Sequence, residues 1–143
     1  MTVDIAELAT ELTNDPASLG YATELTSGNN NGLVAKLNLV RDTITVDKKE
    51  IQPAEAQSAV VGSEFVSLSD VAQRAWQCIV GLPAIPVANA NIRAQIAAIW
   101  GAGTSTRTNL LELQTLKGSR AEALWGEAVS VSLQNVRDAR DLM

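Results

Sequence analysis

The sequence predicts an all-α protein: a single-domain orthogonal bundle of seven or eight short helices that spans residues 1–143. Apolar residues recur every three or four positions along most of the chain, which is the repeat of an amphipathic helix. Ser, Thr, Asn or Asp stands where most of these segments begin, and Gly or Pro stands where they end. Only residues 43–46 alternate β-branched side chains as a strand would. We therefore expect one helical domain with one core, in which residues 43–46 form an extended arm, a short β segment or an edge that pairs with a neighbouring subunit.

The first half of the chain contains four predicted helices. In residues 4–13, Ile5, Leu8 and Leu12 fall on one face of a helix. Pro16 is expected to end this helix, because the residue before a proline avoids the helical region. Residues 26–32 are polar and rich in Gly and Asn, so we expect an exposed loop there. The other three helices are predicted at residues 33–42, 52–62 and 69–81.

The second half begins with a linker at residues 82–88, which contains two prolines and is otherwise mostly apolar. We expect this linker to be extended and laid against the core. Ser119 with Glu122 three residues later has the spacing of a capping box, which marks the start of a short helix. The helices of this half are predicted at residues 89–100, 104–117, 119–125 and 132–143.

The composition removes several kinds of active site. The chain has no histidine, the commonest general base and metal ligand, and a single cysteine, Cys78. Cys78 lies among apolar residues and is predicted to be a small buried side chain. The sequence Gly101-Ala102-Gly103 is predicted to be a corner between two helices, since it lacks the strand, third glycine and lysine of nucleotide-binding loops. We expect no enzyme activity, no cofactor and no metal site.

Charge is uneven along the chain. Residues 1–35 carry five acids and no base, whereas residues 71–111 carry three arginines and no acid. One hypothesis is a head-to-tail contact in which the acids of one copy meet the arginines of the next. The candidate subunit-interface residues are Asp4, Glu7, Glu11, Asp15, Arg74, Arg93 and Arg107. Acid pairs four apart, such as Glu7 and Glu11, are otherwise typical of a solvated helix face.

The three tryptophans lie in phase with the apolar stripes of their predicted helices. Trp76, Trp100 and Trp125 each stand near a helix end. We interpret them as core residues, with a role as hydrophobic anchors of an interface as the alternative.

Membrane and nucleic-acid partners are not expected. The longest charge-free run, residues 75–92, is broken by two prolines and three amide side chains, so it cannot cross a bilayer. The first residues are acidic, without the basic and apolar regions of a signal peptide. No basic stripe is present, which argues against sequence-specific nucleic-acid binding.

Several short phrases, in order along most of the chain, resemble a family of small all-helical virion structural proteins of tailed bacteriophages. They are residues 15–16, 20–21, 35–38, 62–64, 99–104, 119–126 and 136–140. The chain departs from the family pattern in its polar stretch at residues 27–32 and in having tryptophan near residues 100 and 125, where the family pattern has phenylalanine.

The resemblance implies a non-enzymatic component of the virion, assembled in the host cytoplasm. Within the virion, the resemblance implies a head–tail connector or adaptor of the neck, which is a homo-oligomeric ring that bridges portal and tail components. The alternatives are capsid decoration, a tail component, or a small helical regulatory or DNA-binding module.

Overall fold

The computed structural model describes residues 2–143, which form two compact units. Unit 1 comprises residues 2–46 and 117–143, and unit 2 comprises residues 47–116. In the described residues 57% of the chain is helical, in ten helices, and one sheet of two antiparallel strands is present. The prediction of an all-α bundle of seven or eight helices is therefore wrong. Each unit also has its own cluster of buried residues, whereas we expected one core.

In chain order the elements are α1 (Ile5–Asn14), α2 (Ala22–Ser27), α3 (Asn30–Asn38), β1 (Arg41–Asp47), α4 (Pro53–Ser58), α5 (Gly62–Val66), α6 (Asp70–Val80), α7 (Ala90–Ile99), α8 (Ser105–Leu113), β2 (Thr115–Gly118), α9 (Arg120–Trp125) and α10 (Leu133–Asp141).

Unit 1 is built around α3 and α10. Helix α10 packs on α1 and α3, and α3 also contacts α2 and α9. At the end of α3, the amide side chain of Asn38 donates to the carbonyl of Val131 and accepts from its N–H, both at 2.8 Å. The fully buried large side chains of this core are Leu8, Leu12, Tyr21, Leu33, Leu37 and Val136.

Unit 2 contains the other five helices. Helix α6 packs on α4 and α7, and α4 also contacts α8. Residues 82–88 form no helix, and Ile85 pairs with Ile51 in an isolated antiparallel bridge. Ile85 and Val87 are buried in the core of this unit, beside Trp76 and Trp100.

The strand that the sequence analysis missed is β2, at residues expected to end a helix. Leu110, Leu113 and Leu116 have helical spacing, yet α8 ends at Leu113 and Leu116 lies in β2. The pairing joins residues about 70 positions apart, so no local pattern marks it. Gly118 meets the Val46 side chain so closely that a Cβ at this position would clash with it. The glycine interpreted as a helix stop therefore also allows β2 to approach β1.

Three further boundaries differ from the prediction. The expected loop at residues 26–32 is exposed but largely helical, because Gly28 takes a left-handed conformation (φ 70°) and lets α2 end just before α3 begins. The helix expected at 33–42 ends at Asn38. The helix expected at 52–62 ends at Ser58 as α4, and Gly62, the last residue of the predicted range, begins α5.

Most helix starts agree with the predicted caps. Asp4, Ser69, Asn89, Thr104 and Ser132 each accept a backbone N–H from the first turn of the following helix. The capping box of Ser119 and Glu122 is confirmed, with both reciprocal hydrogen bonds formed. In the described part of the chain, no helix has the length and apolar character that a membrane span needs.

Candidate functional site

The most buried charge in unit 1 is Glu11, one of the predicted interface residues. The residue is only 4% exposed. Its carboxylate accepts two hydrogen bonds from Arg120, at 2.7 Å from Nε and 2.9 Å from Nη2, and a third from the Tyr21 hydroxyl at 3.1 Å. This forked ion pair links α1 to α9 inside the unit.

The neighbours of Glu11 respond to its charge. Burial, followed by the charge of Glu11 and the hydrogen bond to it, raises the pKa of the Tyr21 phenol. The hydrogen bond to Glu11 also raises the pKa of the Arg120 guanidinium. Both shifts stabilise the arrangement in which Tyr21 is neutral and Arg120 is charged.

Three other predicted acids also have intrachain partners. Asp4 caps α1 by accepting the Glu7 backbone N–H, and the Glu7 carboxylate accepts the indole N–H of Trp125 at 2.7 Å. Asp15 is left-handed (φ 42°) at the end of α1, and its carboxylate accepts the backbone N–H groups of residues 19 and 20, each at 2.7 Å.

The fifth acid of the segment, Glu24, pairs with Lys36 at 2.7 Å. This hydrogen bond is the main cause of the lowered pKa of Glu24. The acidic segment is therefore not an array of unpartnered carboxylates, since all five acids accept hydrogen bonds within unit 1. Asp4 and Glu7 are nevertheless exposed.

The three predicted arginines all lie in unit 2. Arg107 is half-buried, and its guanidinium donates to the carbonyl of Trp100 at 3.1 Å. Arg74 and Arg93 are exposed. Arg93 lines a small polar recess of about 140 Å³ beside Asp47 and Lys48. Of these three arginines, Arg74 and Arg93 are therefore the exposed ones.

All three tryptophans are buried in their units. The rings of Trp76 and Trp100 meet edge to face, with centroids 5.4 Å apart and planes at 83°. Nε1 of Trp100 has no hydrogen-bond partner among the described residues, whereas Nε1 of Trp125 donates to Glu7. All three tryptophans therefore contribute to the cores of their units. Their role as hydrophobic anchors of an interface stays a prediction.

A charged side chain that the sequence analysis did not single out organises the start of α8. The Glu64 carboxylate accepts the backbone N–H groups of Ser105 and Thr106, at 2.9 and 2.7 Å, and the Thr106 hydroxyl at 2.7 Å. The bonds from Thr106 are the main cause of the lowered pKa of Glu64. A negative charge at a helix N-terminus also interacts favourably with the helix dipole.

Several exposed apolar side chains were not among the candidate interface residues that the sequence predicted. In unit 2, Val66 at the end of α5 is 72% exposed and Val71 at the start of α6 is 78% exposed. The same two helices border an apolar groove of about 250 Å³, lined by Gln57, Val60, Phe65, Trp76, Gln77 and Val80. Helical periodicity gave no signal for Val71, because it lies in phase with the buried Ile79 eight residues later, yet it is exposed at the start of α6.

The remaining sequence candidates have simple structural roles. Cys78 is exposed, so its predicted burial is wrong; it lies on the outer face of α6, opposite the buried Trp76 and Ile79. Gly103 is left-handed (φ 89°) between α7 and α8, as a corner between helices requires. Within residues 2–143, no three acidic or cysteine side chains are grouped so that they could hold a metal ion.

Compared with known proteins, the chain matches no family model, no curated protein and no solved structure.

Proposed function

We propose that the chain is a non-enzymatic structural protein of a tailed-phage virion: a head–tail connector component that assembles into a ring and bridges portal and tail. The resemblance of its short phrases to small helical virion proteins suggests this role. Its work is then protein–protein contact, and its surface is to be interpreted in those terms.

The observation that carries the proposal is the exposed apolar surface of α5 and α6. Val66 and Val71 are each more than two-thirds exposed, and Phe65 and Val80 of the same helices line an apolar groove. Exposed apolar side chains and apolar grooves are both typical of protein-binding sites, because a partner removes them from water. Such a surface supports assembly with other virion proteins.

In this proposal, charge orients the copies within the ring. Arg74 and Arg93 in unit 2 are exposed, and so are Asp4 and Glu7 in unit 1. A head-to-tail contact would bring unit 1 of one copy to unit 2 of the next and pair these charges. Glu11 takes no part in this contact, since it is buried and bound to Arg120.

The first test is the composition of purified phage particles. A low copy number that fits a connector ring supports the proposal, and absence of the polypeptide refutes it. Hundreds of copies would instead indicate capsid decoration or a tail component. Binding of duplex DNA with a steep salt dependence, by a monomer or dimer, would favour the regulatory alternative.

The second test addresses the charged contact. Arg74→Glu with Arg93→Glu should abolish ring assembly at low salt. Asp4→Asn with Glu7→Gln, which keep the cap of α1 and an acceptor for the Trp125 indole but remove both charges, should weaken it. Arg137→Glu, a reversal at an exposed arginine of α10, is the matched control. Assembly of the arginine double variant at the level of the control would disprove the head-to-tail contact.

A further inference from the structure

Strand β1 has an edge that no other strand covers in the described part of the chain. The sheet contains only β1 and β2, so β1 has a strand neighbour on one side alone. Strand β1 has seven residues and β2 has four. The residues just before β1, Leu39 and Val40, are 57% and 58% exposed although both are apolar.

The middle of this strand has none of the usual protection of an edge. Natural edge strands are commonly blocked by proline, by lysine or by an inward-pointing charge. Residues 43–46 are instead four β-branched residues with neither proline nor charge. Thr43 and Thr45 are exposed on one face, while Ile44 is half-buried and Val46 buried on the other. This segment has the composition and exposure of a strand that can accept a partner strand.

The sequence of β1 is complementary to itself in the antiparallel direction. In a pairing centred on Ile44, Arg41 of one copy lies opposite Asp47 of the other, and this ion pair occurs twice. Thr43 lies opposite Thr45, also twice, and Ile44 lies opposite Ile44; the one mismatch is Asp42 opposite Val46. Opposite charges, paired threonines and paired β-branched residues are all favourable cross-strand neighbours.

Other registers lose this complementarity. A shift by two residues in one direction places Arg41 opposite Thr45 and Asp47 opposite Leu39, so both ion pairs are lost. A shift by two residues in the other direction pairs Asp42 with Lys48 but places Arg41 opposite Lys49, so that each gained ion pair is offset by a pair of like charges. A parallel pairing in register would place like charges side by side. The charges at the two ends of β1 therefore favour one partner, a second copy of the chain, in one direction and one register.

We propose that β1 of one copy pairs antiparallel with β1 of a second copy, centred on Ile44, to form a continuous sheet in the order β2–β1–β1–β2. The contact is two-fold symmetric, because each copy contributes the same segment. It does not rest on the proposed function, and it is separate from the head-to-tail contact of a ring.

The test is a charge swap, read by sedimentation equilibrium of the purified chain. Arg41→Asp alone and Asp47→Arg alone each place like charges opposite one another twice, and each should weaken the dimer about tenfold. An equimolar mixture of the two single variants should recover a dimer, because each variant then faces its opposite charge. The double variant R41D/D47R should dimerise like the wild type.

Crosslinking tests the register in a Cys78→Ser background. Ile44→Cys should form a disulfide-linked dimer on mild oxidation, because the two Ile44 positions lie opposite each other. Asp42→Cys is the matched control, since its copies would be four residues apart along the strands, roughly 13 Å. Circular dichroism establishes that each variant is folded.

A wild-type chain that stays monomeric at high concentration overturns the proposal and leaves the edge for a different partner. Single charge variants that dimerise as well as the wild type, or equal crosslinking at both cysteine positions, also overturn it. Absence of the chain from phage particles would disprove the proposed function but leave this dimer intact, so the two failures are distinguishable.

Discussion

Replacing Arg120 with methionine tests whether the ion pair with Glu11 is a structural element of unit 1. The substitution keeps most of the side-chain volume but removes the cation. The Glu11 carboxylate, on a residue that is 4% exposed in the wild type, would keep only the hydrogen bond from the Tyr21 hydroxyl at 3.1 Å. Leaving a buried charge without its partner costs about 3–5 kcal/mol when the site is dry. Because the Arg120 side chain is 21% exposed, water can reach the gap, and we expect a loss of about 2–3 kcal/mol.

The assay is urea unfolding at neutral pH, followed by far-ultraviolet circular dichroism. Tryptophan fluorescence reports on both units, since Trp125 lies in unit 1 and Trp76 and Trp100 lie in unit 2. Arg137→Met is the matched control, an exposed arginine on α10 of the same unit, and should change the free energy of unfolding by less than about 0.5 kcal/mol. The loss in Arg120→Met should persist in about 1 M salt, since a buried pair is poorly screened.

A double-mutant cycle separates the pair from general effects of substitution. Glu11→Gln keeps an oxygen that can accept from Tyr21, and it should cost less than Arg120→Met because Arg120 can turn toward water. The double variant should be less destabilised than the sum of the single variants, with a coupling of at least about 1 kcal/mol. Additive losses, or an Arg120→Met variant as stable as the control, would refute the assignment of Glu11 to the interior.

Three further predictions use the same unfolding assay. Trp125→Phe should cost about 1–2 kcal/mol more than Trp100→Phe, because the first loses a hydrogen bond to Glu7 and the second removes an unpartnered N–H; equal costs would contradict this. The pKa of Glu64 is lowered in the folded state, so its stabilisation is present above its unfolded pKa and is lost as pH falls; Glu64→Gln should destabilise at neutral pH but progressively less toward about pH 3. The pKa of Tyr21 is raised in the folded state, so neutral Tyr21 stabilises the fold below its unfolded pKa of about 10, and this contribution is lost as the pH rises above it. Tyr21→Phe should therefore flatten the fall in the free energy of unfolding at alkaline pH, and an unchanged slope would count against the raised pKa.

The features that the sequence predicted well are local ones. A cap such as Asp4 or Thr104 acts on N–H groups two or three residues away, so its partner lies within the same short segment. The same holds for the capping box of Ser119 and Glu122. Short-range chemistry of this kind can be identified in one sequence without knowledge of the fold.

The features that it missed depend on partners far along the chain. Helical periodicity placed Glu11 on the outer face of α1 beside Glu7, since nothing within that segment indicates Arg120, which lies 109 residues away. The leucines of α8 continued in phase to Leu116, and only the pairing of β2 with β1 ends the helix earlier. In both cases a long-range interaction decided between local alternatives of similar energy.

The acidic segment shows why a run of like charges is a weak guide to surface chemistry. Its five carboxylates have no basic residue within residues 1–35. The fold supplies Arg120, Lys36 and the Trp125 indole N–H, together with backbone N–H groups at the ends of α1. Hydrogen bonds inside the chain thus engage much of the charge that a partner would otherwise recognise.

Surfaces for partners are better inferred from groups that the fold leaves without a neighbour: the exposed valines of α5 and α6, and the open edge of β1. These two surfaces differ in kind, because an apolar groove accepts many shapes whereas a strand edge fixes direction and register. The edge of β1 is therefore the surface at which single substitutions can best discriminate one partner from another.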